Sequence, residues 1–359
     1  MVILRKSAVI QHIRHIASAG LAPHAAVADM IDVLEEVIPS RICSFLWSTP
    51  DGAPTDIYTP EFIPSAFEEL LARGPALAQT SEVTIDKIIR APVDHSACQS
   101  FAGTAAYERS TLRNTLFAAY GIGNILDMTI RDGGTPRGIV TVNREPGSAA
   151  FNAQEVADLL SLRAYFLHAM DGPGTDLTKQ AAGQGDLVKK SDAMLLCDDN
   201  GVIIDATPRA IDLLRQMGAG LFVEREPALV PGHRLPASVV ELVRAAGDPT
   251  IADAPASGLY LTRSGAVRVR VHALQSSGLF TVSLREQVAR RSRQLARLAR
   301  LDLSPGERRL ALGLCSPDRT GVVADAMGLT VGSCRQYTQR IYRKLRVGSR
   351  AALAEMLGH

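Results

Sequence analysis

The spacing of apolar residues divides the first part of the chain into helices and two hairpins. Helical periodicity opens the chain and continues to Glu36, and period-two alternation then predicts a strand at 42–47. The Asp51-Gly52 pair predicts a turn that leads toward Ile57 and Tyr58. The same criteria predict helices at 64–72 and 107–120, strands at 124–131 and 137–142 joined by a turn at 132–134, and an amphipathic helix at 153–170.

A second set of strands follows a stretch of low apolar content. Residues 171–185 are rich in Gly, Thr, Gln and Ala, which is the composition of a linker. A hairpin is predicted around Asn200 and Gly201, and a helix at 208–217 follows it. Three more strands are predicted at 258–262, 267–274 and 278–285.

A connector helix is predicted after these strands. Residues 284–300 are nearly continuous Leu, Ala, Gln and Arg, and Leu295, Leu298 and Leu301 are spaced as on a helix. We therefore expect a connector helix at 286–302. Two roles remain open for it at this point, because its apolar stripe could pair with a second copy or the helix could be a solvated connector.

The C-terminal part begins with a strong helix start. Ser304 stands at an N-cap position, with Pro305 at the first helical position and Glu307 at the third. This order satisfies free N–H groups and suits the helix dipole, so a helix is predicted to begin at Pro305. It is expected to run to about Leu314, because Pro317 cannot continue it.

Three further helices are predicted by caps and breakers. Thr320 is placed as the cap of a short helix at 321–327, which Gly328 ends in the left-handed conformation. Thr330 is placed as the cap of a third helix at 331–346. Ser349 is placed as the cap of a last helix that ends near Leu357.

The third of these helices has an apolar side and a polar side. Cys334, Ile341 and Leu345 fall on one side, and Thr338 and Tyr342 extend that side. The polar side is formed by Arg335, Gln336, Gln339, Arg340 and Arg343. Such donors can reach base edges or phosphates in a major groove.

Charge is unevenly distributed along the chain, although its net charge is only +2. From Arg290 to His359, fourteen Lys or Arg stand against five Asp or Glu, which leaves 25 basic and 32 acidic residues before Arg290. A basic end of +9 on a body of −7 is the pattern expected of a nucleic-acid-binding segment, because phosphate neutralisation supplies most sequence-independent affinity. A solvated charged face is the alternative that charge alone leaves open.

The C-terminal residues resemble the LuxR-type helix-turn-helix, also called the GerE or FixJ type. The resemblance is carried by Leu303-Ser304-Pro305 with Glu307-Arg308, Val323-Ala324, Met327-Gly328-Leu329-Thr330, Gly332-Ser333-Cys334-Arg335, Ile341-Tyr342-Arg343-Lys344-Leu345, Val347 and Ser349-Arg350. It implies a four-helix DNA-binding domain at 303–359, whose third helix enters the major groove.

The same resemblance implies which side chains meet DNA. Arg335, Gln336 and Gln339 stand at positions that typically face bases. The residues at positions that contact phosphates are Thr320, Ser333, Tyr337, Arg340, Arg343 and Lys344.

The chain departs from the family pattern at three places. Before the second helix, where a Gly-rich stretch with a small polar run is usual, it has Ser316-Pro317-Asp318-Arg319-Thr320-Gly321-Val322. Tyr337 replaces a common His, and Arg346 replaces a common Gly at the end of the third helix. The phosphate contacts and the helix lengths are therefore where we expect this chain to differ from the family.

The body of the chain resembles two kinds of sensor domain. Residues 1–175 are similar to a GAF domain, since helix, hairpin, helix, hairpin and closing helix follow one another and Phe151-Asn152-Ala153-Gln154-Glu155-Val156 is a typical helix start. After a linker at 176–187, residues 188–285 are similar to a PAS domain, although Thr207 stands where many such domains carry Asn. The predicted fold class is multidomain, with α+β sensor domains followed by an all-α helix-turn-helix domain.

A phosphoreceiver domain is the alternative that Asp198 and Asp199 suggest. A strand that ends in two acids can bind magnesium in such a domain. A receiver also needs a phosphoacceptor Asp at the end of a third strand and a Lys at the fifth, and no Lys occurs between Lys190 and Lys344. We therefore assign the two aspartates to a hairpin turn and reject the receiver.

The sequence predicts no metal site and no cofactor. Its cysteines contain no Cys-x-x-Cys pair, so neither a zinc site nor a disulfide framework is indicated, and Cys315 and Cys334 are expected in the core. His12 and His15 share a helix face, but without nearby carboxylates they are assigned to a surface helix. His233 is assigned to a loop and not to haem ligation.

Trp47 and Tyr58 are the only candidates for a ligand pocket. They are similar to the aromatic pair that lines acyl-homoserine-lactone pockets in quorum-sensing relatives, but the accompanying Asp and Trp are not recognisable. Core packing also explains Trp47. Because the chain has no long apolar run and no signal-type N-terminal segment, we expect a soluble cytoplasmic protein without a membrane partner.

Together these features predict a transcriptional regulator that binds double-stranded DNA and responds to a small-molecule or protein signal. We expect a homodimer, because DNA half-sites are commonly read by two-fold dimers, and RNA polymerase is a further candidate partner. The alternative is an interaction protein or anti-regulator that kept the fold and lost DNA contact. An enzyme is not supported, because no nucleophile-base-acid set, phosphate loop or metal cluster stands out in the sequence.

Overall fold

The computed structural model describes residues 6–60, 89, 109, 112–117, 120–171, 187–217, 231–247, 256–262, 264–274 and 277–358. Over these residues the chain forms mixed helices and two antiparallel sheets, in agreement with the predicted α+β class. The predicted helix at 64–72 and nearly all of the linker at 176–187 lie outside the described residues. The described part of the predicted helix at 107–120 contains a π-helical turn, Leu112–Phe117.

The first sheet has the strand order β2-β1-β4-β3. Its strands are β1 (Ile42–Ser48), β2 (Pro54–Tyr58), β3 (Ile125–Asp132) and β4 (Thr135–Asn143). Both predicted hairpins are confirmed, and Gly52 adopts the positive φ of 86° that the first turn requires. One face of the sheet is apolar and fully buried, with Phe45, Met128 and Val140 at its centre.

Helices α2 (Pro23–Ile31) and α3 (Ala153–Met170) pack on this sheet, and α1 (Lys6–Ala17) packs on both helices. The predicted helix at 153–170 is confirmed. It begins there because Asn152 Oδ1 accepts from Glu155 N at 3.0 Å, while Glu155 Oε2 accepts from Asn152 N at 2.9 Å. Phe166 of α3 stacks on Phe45, with ring centroids 5.9 Å apart.

The second sheet has the order β6-β5-β9-β8-β7. Its strands are β5 (Leu187–Asp198), β6 (Ile203–Ala206), β7 (Ala256–Leu261), β8 (Gly265–Leu274) and β9 (Leu279–Ala289). Helices α4 (Pro208–Met217) and α5 (Ala237–Gly247) cover its inner face. Leu195, Leu214, Val239 and Val282 belong to the separate core beneath them, and the predicted hairpin around Asn200 and Gly201 is confirmed.

The prediction that a connector helix begins at 286 is wrong. Strand β9 continues to Ala289, and the helix, α6, is Arg290–Ala299. Glu286, Gln287 and Val288 pair with β8 on one side and with β5 on the other, and Ala289 pairs with Leu187 of β5. These neighbouring strands provide hydrogen-bond partners for the backbone N–H and C=O groups, and this tertiary pairing outweighs the local helix propensity.

The apolar side of α6 is buried within its own chain. Leu295 and Leu298 lie in one core with residues of the N-terminal helices, and α6 contacts α1 and α2 as well as the C-terminal helices. The helix is therefore neither a solvated connector nor free to pair with a second copy through this stripe.

The C-terminal part contains four helices, as predicted. They are α7 (Pro305–Leu314), α8 (Thr320–Ala326), α9 (Val331–Leu345) and α10 (Arg350–Gly358). Ser304 and Glu307 form the predicted capping box. Gly328 has the left-handed φ of 66° that ends α8 and turns the chain toward α9.

The N-cap of the second C-terminal helix differs from the predicted one. Thr320 was expected to cap the second helix, but it is the first residue of α8 and Arg319 occupies the N-cap with no side-chain hydrogen bond. The preceding turn is tightened by Ser316, whose Oγ donates to Gly313 O at 2.7 Å and lies 2.8 Å from Asp318 Oδ2. The helix starts one residue earlier because Arg319 already has the extended backbone of an N-cap.

The C-terminal helices and the first sheet share one hydrophobic core. Ile13 of α1, Phe166 of α3, Leu298 of α6 and Ile341 of α9 all belong to it, whereas the core of the second sheet is separate. The C-terminal helices thus pack on a part of the chain that is distant in sequence. No helix among the described residues is both long enough and apolar enough to cross a membrane.

Candidate nucleic-acid interface

Helix α9 is fixed by its N-terminal cap and by one buried side. Thr330 Oγ1 accepts from Ser333 N at 3.1 Å, as predicted. Cys334 and Ile341 are completely buried, and Leu345 is half-buried next to the same core. Because these residues recur at helical spacing, the opposite side of α9 faces away from the core.

That opposite side presents a polar, basic surface to solvent. Its exposed residues are Arg335, Gln336, Tyr337, Gln339, Arg340 and Arg343. Arg340 lies over the ring of Tyr337, with its guanidinium carbon 5.4 Å from the ring centroid. The three residues predicted to face bases therefore share one accessible helix face with three of those predicted to contact phosphates. We call this face the α9 basic face.

Two other residues predicted to contact phosphates lie at the starts of helices. Ser333 is half-buried in the first turn of α9, and its Oγ accepts from Thr330 Oγ1 at 3.0 Å. Thr320 is half-buried at the start of α8. Ser333 is thus placed where the partial positive charge of a helix N-terminus adds to the attraction for an anion.

Lys344 is engaged within the chain, apart from the other predicted contacts. Its Nζ donates to Glu307 Oε2 at 2.8 Å, which ties α9 to α7. Burial alone would raise the pKa of Glu307, but hydrogen bonds from Lys344 and Ser304 hold it below its usual value. Sequence spacing could not predict this bond, because its two residues lie on different helices.

The end of α9 reproduces a glycine-type cap with an arginine. Arg346 has φ of 56° and is the one non-glycine residue with positive φ in the described part of the chain. Its left-handed conformation lets Val347 N donate to Tyr342 O at 3.0 Å. An arginine therefore adopts here the left-handed conformation that glycine usually supplies at a helix end.

Behind the α9 basic face, α7 packs on α1 through buried polar groups. His12 is only 2% exposed, so its assignment to a surface helix was wrong. The buried Arg308 of α7 donates from Nη2 to Leu301 O at 3.1 Å. Burial, followed by the charges of Arg308 and His15, lowers the pKa of His12 to about 4. The spacing of apolar residues along α1 does not indicate that α7, which is distant in sequence, covers His12.

Acid is expected to weaken this packing through His12. Its pKa is about 4 when folded, against an ordinary value of 6.5, so the unfolded chain binds more protons in that interval and stability falls as the pH drops through it. From about pH 7.5 to about pH 4.5, the free energy of unfolding should fall by about 2 to 3 kcal/mol more in the wild type than in His12→Gln. Urea unfolding of both proteins at each pH measures this difference.

The comparison with His12→Gln removes the contribution of other titrating groups. Asp29 titrates in the opposite sense, because burial raises its pKa to about 7, and it is present in both proteins. Equal pH dependence of wild type and variant would contradict the assignment of the acid sensitivity to His12.

A partly buried ionic cluster joins the two sheets. We call it the junction cluster, and its members are Asp32, Asp56, Tyr58, Lys190, Arg209, Asp212, Arg215 and Glu286. Tyr58 Oη donates to Asp32 Oδ1 at 2.5 Å, and Lys190 Nζ lies 3.3 Å from Asp32 Oδ2 and 3.7 Å from Glu286 Oε1. Arg209 Nη2 donates to Glu286 Oε2 at 2.5 Å. The two sheets are therefore held together by paired charges.

The charges of the junction cluster stabilise one another. Burial alone would raise the pKa of Glu286, but Lys190 and Arg209 hold it below its usual value. Burial alone would lower the pKa of Lys190, yet the surrounding acidic groups raise it well above its usual value. At neutral pH, Lys190 and Glu286 are therefore both ionised.

The two ligand-pocket candidates have other contacts. Trp47 stacks on His24 with ring centroids 4.4 Å apart and meets the edge of Phe45 at 4.8 Å. Its indole Nε1 has no hydrogen-bond partner among the described residues. Tyr58 belongs to the junction cluster. Core packing accounts for Trp47, and the link between sheets accounts for Tyr58.

The other histidine and the cysteines occupy ordinary structural positions. His233 lies in an exposed turn, where its carbonyl accepts from Ile203 N at 2.8 Å. The described cysteines are free, with Cys334 buried and Cys315 half-buried. Within the described residues, no group of three His, Cys, Asp or Glu side chains is arranged to hold a metal ion.

The sequence matches no protein-family profile and no curated protein. It has weak structural similarity to a dimer of VqmA, a LuxR-type receptor of Vibrio cholerae, at 15% identity over 50% of this chain and 85% of that chain, with a TM-score of 0.18. The E. coli DhaR(N)–DhaL complex has 11% identity over 79% of this chain and 89% of that chain, with a TM-score of 0.20. The sensor region of a sensor histidine kinase has 16% identity over 51% and 69% of the two chains, also with a TM-score of 0.20.

Proposed function

We propose that this chain is a sequence-specific DNA-binding transcriptional regulator with a LuxR-type helix-turn-helix at 303–359. The observation that carries the proposal is the α9 basic face, where Arg335, Gln336 and Gln339 are exposed together on the side of α9 opposite its buried residues. Arginine and glutamine side chains can form bidentate hydrogen bonds with guanine and adenine in the major groove. A helix of 15 residues held by a cap and a buried side provides the rigid element such recognition needs.

Charge supports the same function. The +9 excess from Arg290 onward lies on helices that include α9, while the preceding body carries −7. Such a distribution directs one end of the molecule toward the phosphate backbone. Arg340 and Arg343 supply cations beside the base-facing residues, and Tyr337 and Ser333 supply hydroxyl groups.

The two sheets are proposed as sensor domains, GAF-like at 1–175 and PAS-like at 188–285, with the linker at 176–187 between them. Their strand and helix order agrees with that proposal. The C-terminal helices are packed on the first unit, and the junction cluster connects the first unit to the second sheet. A signal at either sheet would therefore have contacts through which to bias the orientation of α9, in a homodimer that reads two half-sites.

The proposal is tested by the DNA affinity of the full chain as a function of salt. Duplexes selected from a random pool would provide the specific site, and fluorescence anisotropy would give Kd at several salt concentrations. Because each neutralised phosphate contributes about 0.9 to the slope of log K against log salt, a steep slope is expected. Salt-independent binding, or failure to enrich any duplex, would overturn the proposal and favour an interaction protein that lost DNA contact.

Two arginines on the α9 basic face are expected to differ in their effects. Arg335→Ala should weaken binding to the selected site by about 1 to 3 kcal/mol and relax its sequence preference. Arg340→Ala should weaken binding to all duplexes about equally and reduce the salt slope by about 1. Arg244→Ala, at an exposed arginine of α5, is the matched control and should leave both quantities unchanged. Unchanged affinity in Arg335→Ala would remove this residue from base recognition.

A further inference from the structure

The outer face of the second sheet contains a cleft whose positive charge is not neutralised by its own carboxylates. The cleft has a volume of about 550 Å³, within the range of small-molecule sites. The Arg268, Arg270 and Arg285 side chains stand on the sheet face opposite its core, and Arg209 at the start of α4 also borders the cleft. It is lined by Asp192, Ala193, Met194, Thr207, Arg209, Arg268, Arg270, His272, Ser283, Leu284 and Arg285. We call it the arginine cleft.

Strand register concentrates the cations of the arginine cleft. Arg268 on β8 stands directly opposite Arg285 on β9, and Arg270 follows Arg268 on the same face. Like charges at opposite positions of an antiparallel pair are destabilising. The fold therefore holds these side chains together at a cost that a bound counter-charge would offset.

The nearby carboxylates are already engaged. Asp192 Oδ1 accepts from Arg285 Nε at 3.0 Å, and its other oxygen is paired with Lys189. Arg209, at the rim of the cleft, is held by Asp212 and Glu286. Among the described residues, neither Arg268 nor Arg270 forms an ion pair or a side-chain hydrogen bond. Two guanidinium groups with five donors each are thus available to a ligand.

An apolar wall accompanies these donors. Met194 is 55% exposed and lines the same cleft, one position along the outer face of β5 from Asp192. A flexible thioether side chain adapts to an apolar group, while guanidinium groups bind carboxylates and phosphates in a bidentate manner. The cleft thus combines a site for a negative group with a surface for an apolar one.

We propose that the arginine cleft binds a small organic anion, a carboxylate or a phosphate monoester with an apolar portion. The negative group lies between Arg268 and Arg270, and the apolar portion packs on Met194. This site would supply the signal-binding function of the second sheet, and its occupancy does not require that the chain recognise DNA. Because Arg209 lines the cleft and also holds Glu286, the cleft adjoins the junction cluster.

Calorimetric titration of the full chain with phenyl phosphate, inorganic phosphate and the neutral phenol tests the proposal. Phenyl phosphate should bind more tightly than inorganic phosphate, and phenol should not bind measurably. Arg268→Ala combined with Arg270→Ala should weaken phenyl phosphate by at least about tenfold, because two charge-assisted contacts are lost. Met194→Ala should reduce the preference for phenyl phosphate over inorganic phosphate. Arg244→Ala is the control for a general loss of positive charge.

Each other outcome overturns the proposal. Equal affinity of wild type and the double variant would place the anion elsewhere, and no binding of either phosphate would leave the cleft without this function. If the double variant loses DNA affinity and salt slope while wild type fails to bind phenyl phosphate, the cleft is a phosphate contact for DNA. If sedimentation shows that the double variant changes oligomeric state without ligand, the face is an interface between copies. Circular dichroism of the double variant, with thermal melting, confirms that it is folded before titration.

Discussion

Glu286→Gln is expected to lower the free energy of unfolding by about 3 kcal/mol. Glu286 is 5% exposed, and its carboxylate accepts from Ser191 Oγ at 2.6 Å and from Arg209 Nη2 at 2.5 Å. Removing one member of a buried ionic pair leaves its partners with uncompensated charge in a poorly solvated place. The loss stays below the largest such effects because Arg209 retains Asp212 and Lys190 retains Asp32.

Urea unfolding should be followed by far-UV circular dichroism and by fluorescence, because Trp47 is the single tryptophan and lies in the first sheet. The junction cluster connects both sheets, so both signals should shift although Glu286 belongs to the second. Asp192→Asn is the matched control, since that carboxylate is 47% exposed and exposed pairs contribute about 1 kcal/mol or less. A loss no larger in Glu286→Gln than in this control would show that the cluster does not stabilise the fold.

Leu298→Ala is expected to cost about 3 to 4 kcal/mol. Leu298 is 1% exposed on α6, in the core shared by the N-terminal helices and the C-terminal helices. Removing its side chain from this position leaves a cavity that several helices border, so relaxation of one helix cannot close it. The same substitution at Leu274, which is 40% exposed, should cost less than about 1 kcal/mol.

The shared core predicts a second effect of Leu298→Ala. The urea midpoint reported by Trp47 fluorescence should fall, and the urea concentration at which DNA binding is half lost should fall with it. Trp47 and the α9 basic face lie in distant parts of the sequence but depend on the same core. If the fluorescence midpoint remained at the wild-type value, the C-terminal helices would unfold independently of the first sheet, contrary to the common core.

Features determined by neighbouring residues could be predicted from the sequence. Helix α7 begins where the cap at Ser304 predicted, and α3 begins where the amphipathic pattern from residue 153 predicted, because the bonds that fix each start lie within three residues. The exposed face of α9 was likewise predictable, since Cys334 and Ile341 define the buried side through helical spacing alone.

Features that depend on distant packing could not be predicted in this way. The helical composition after 284 did not reveal that residues 286–288 pair with two strands, and the pattern of α1 did not reveal that α7 covers His12. The sequence places Lys344 among the basic residues of α9, and only the fold brings Glu307 beside it. In each case the deciding partner lies on another element.

The junction cluster did leave one sign in the sequence. Along β9 the inward positions are Phe280, Val282 and Leu284, and Glu286 occupies the next position of the same alternation. A carboxylate at a buried position of a strand requires partners, so it marks a contact with another element. The sequence alone could not name those partners, because Lys190 and Arg209 lie in different elements.

The shared core also constrains the order in which the chain can fold during synthesis. Ile13 and Phe166 emerge from the ribosome before Leu298, Ile341 and Leu353, with which they share a core. The second sheet, with its own core, can be completed in between. Until α6 to α10 have been synthesised, the N-terminal helices therefore expose an apolar surface, and a nascent chain halted before α6 is expected to aggregate or to bind a chaperone.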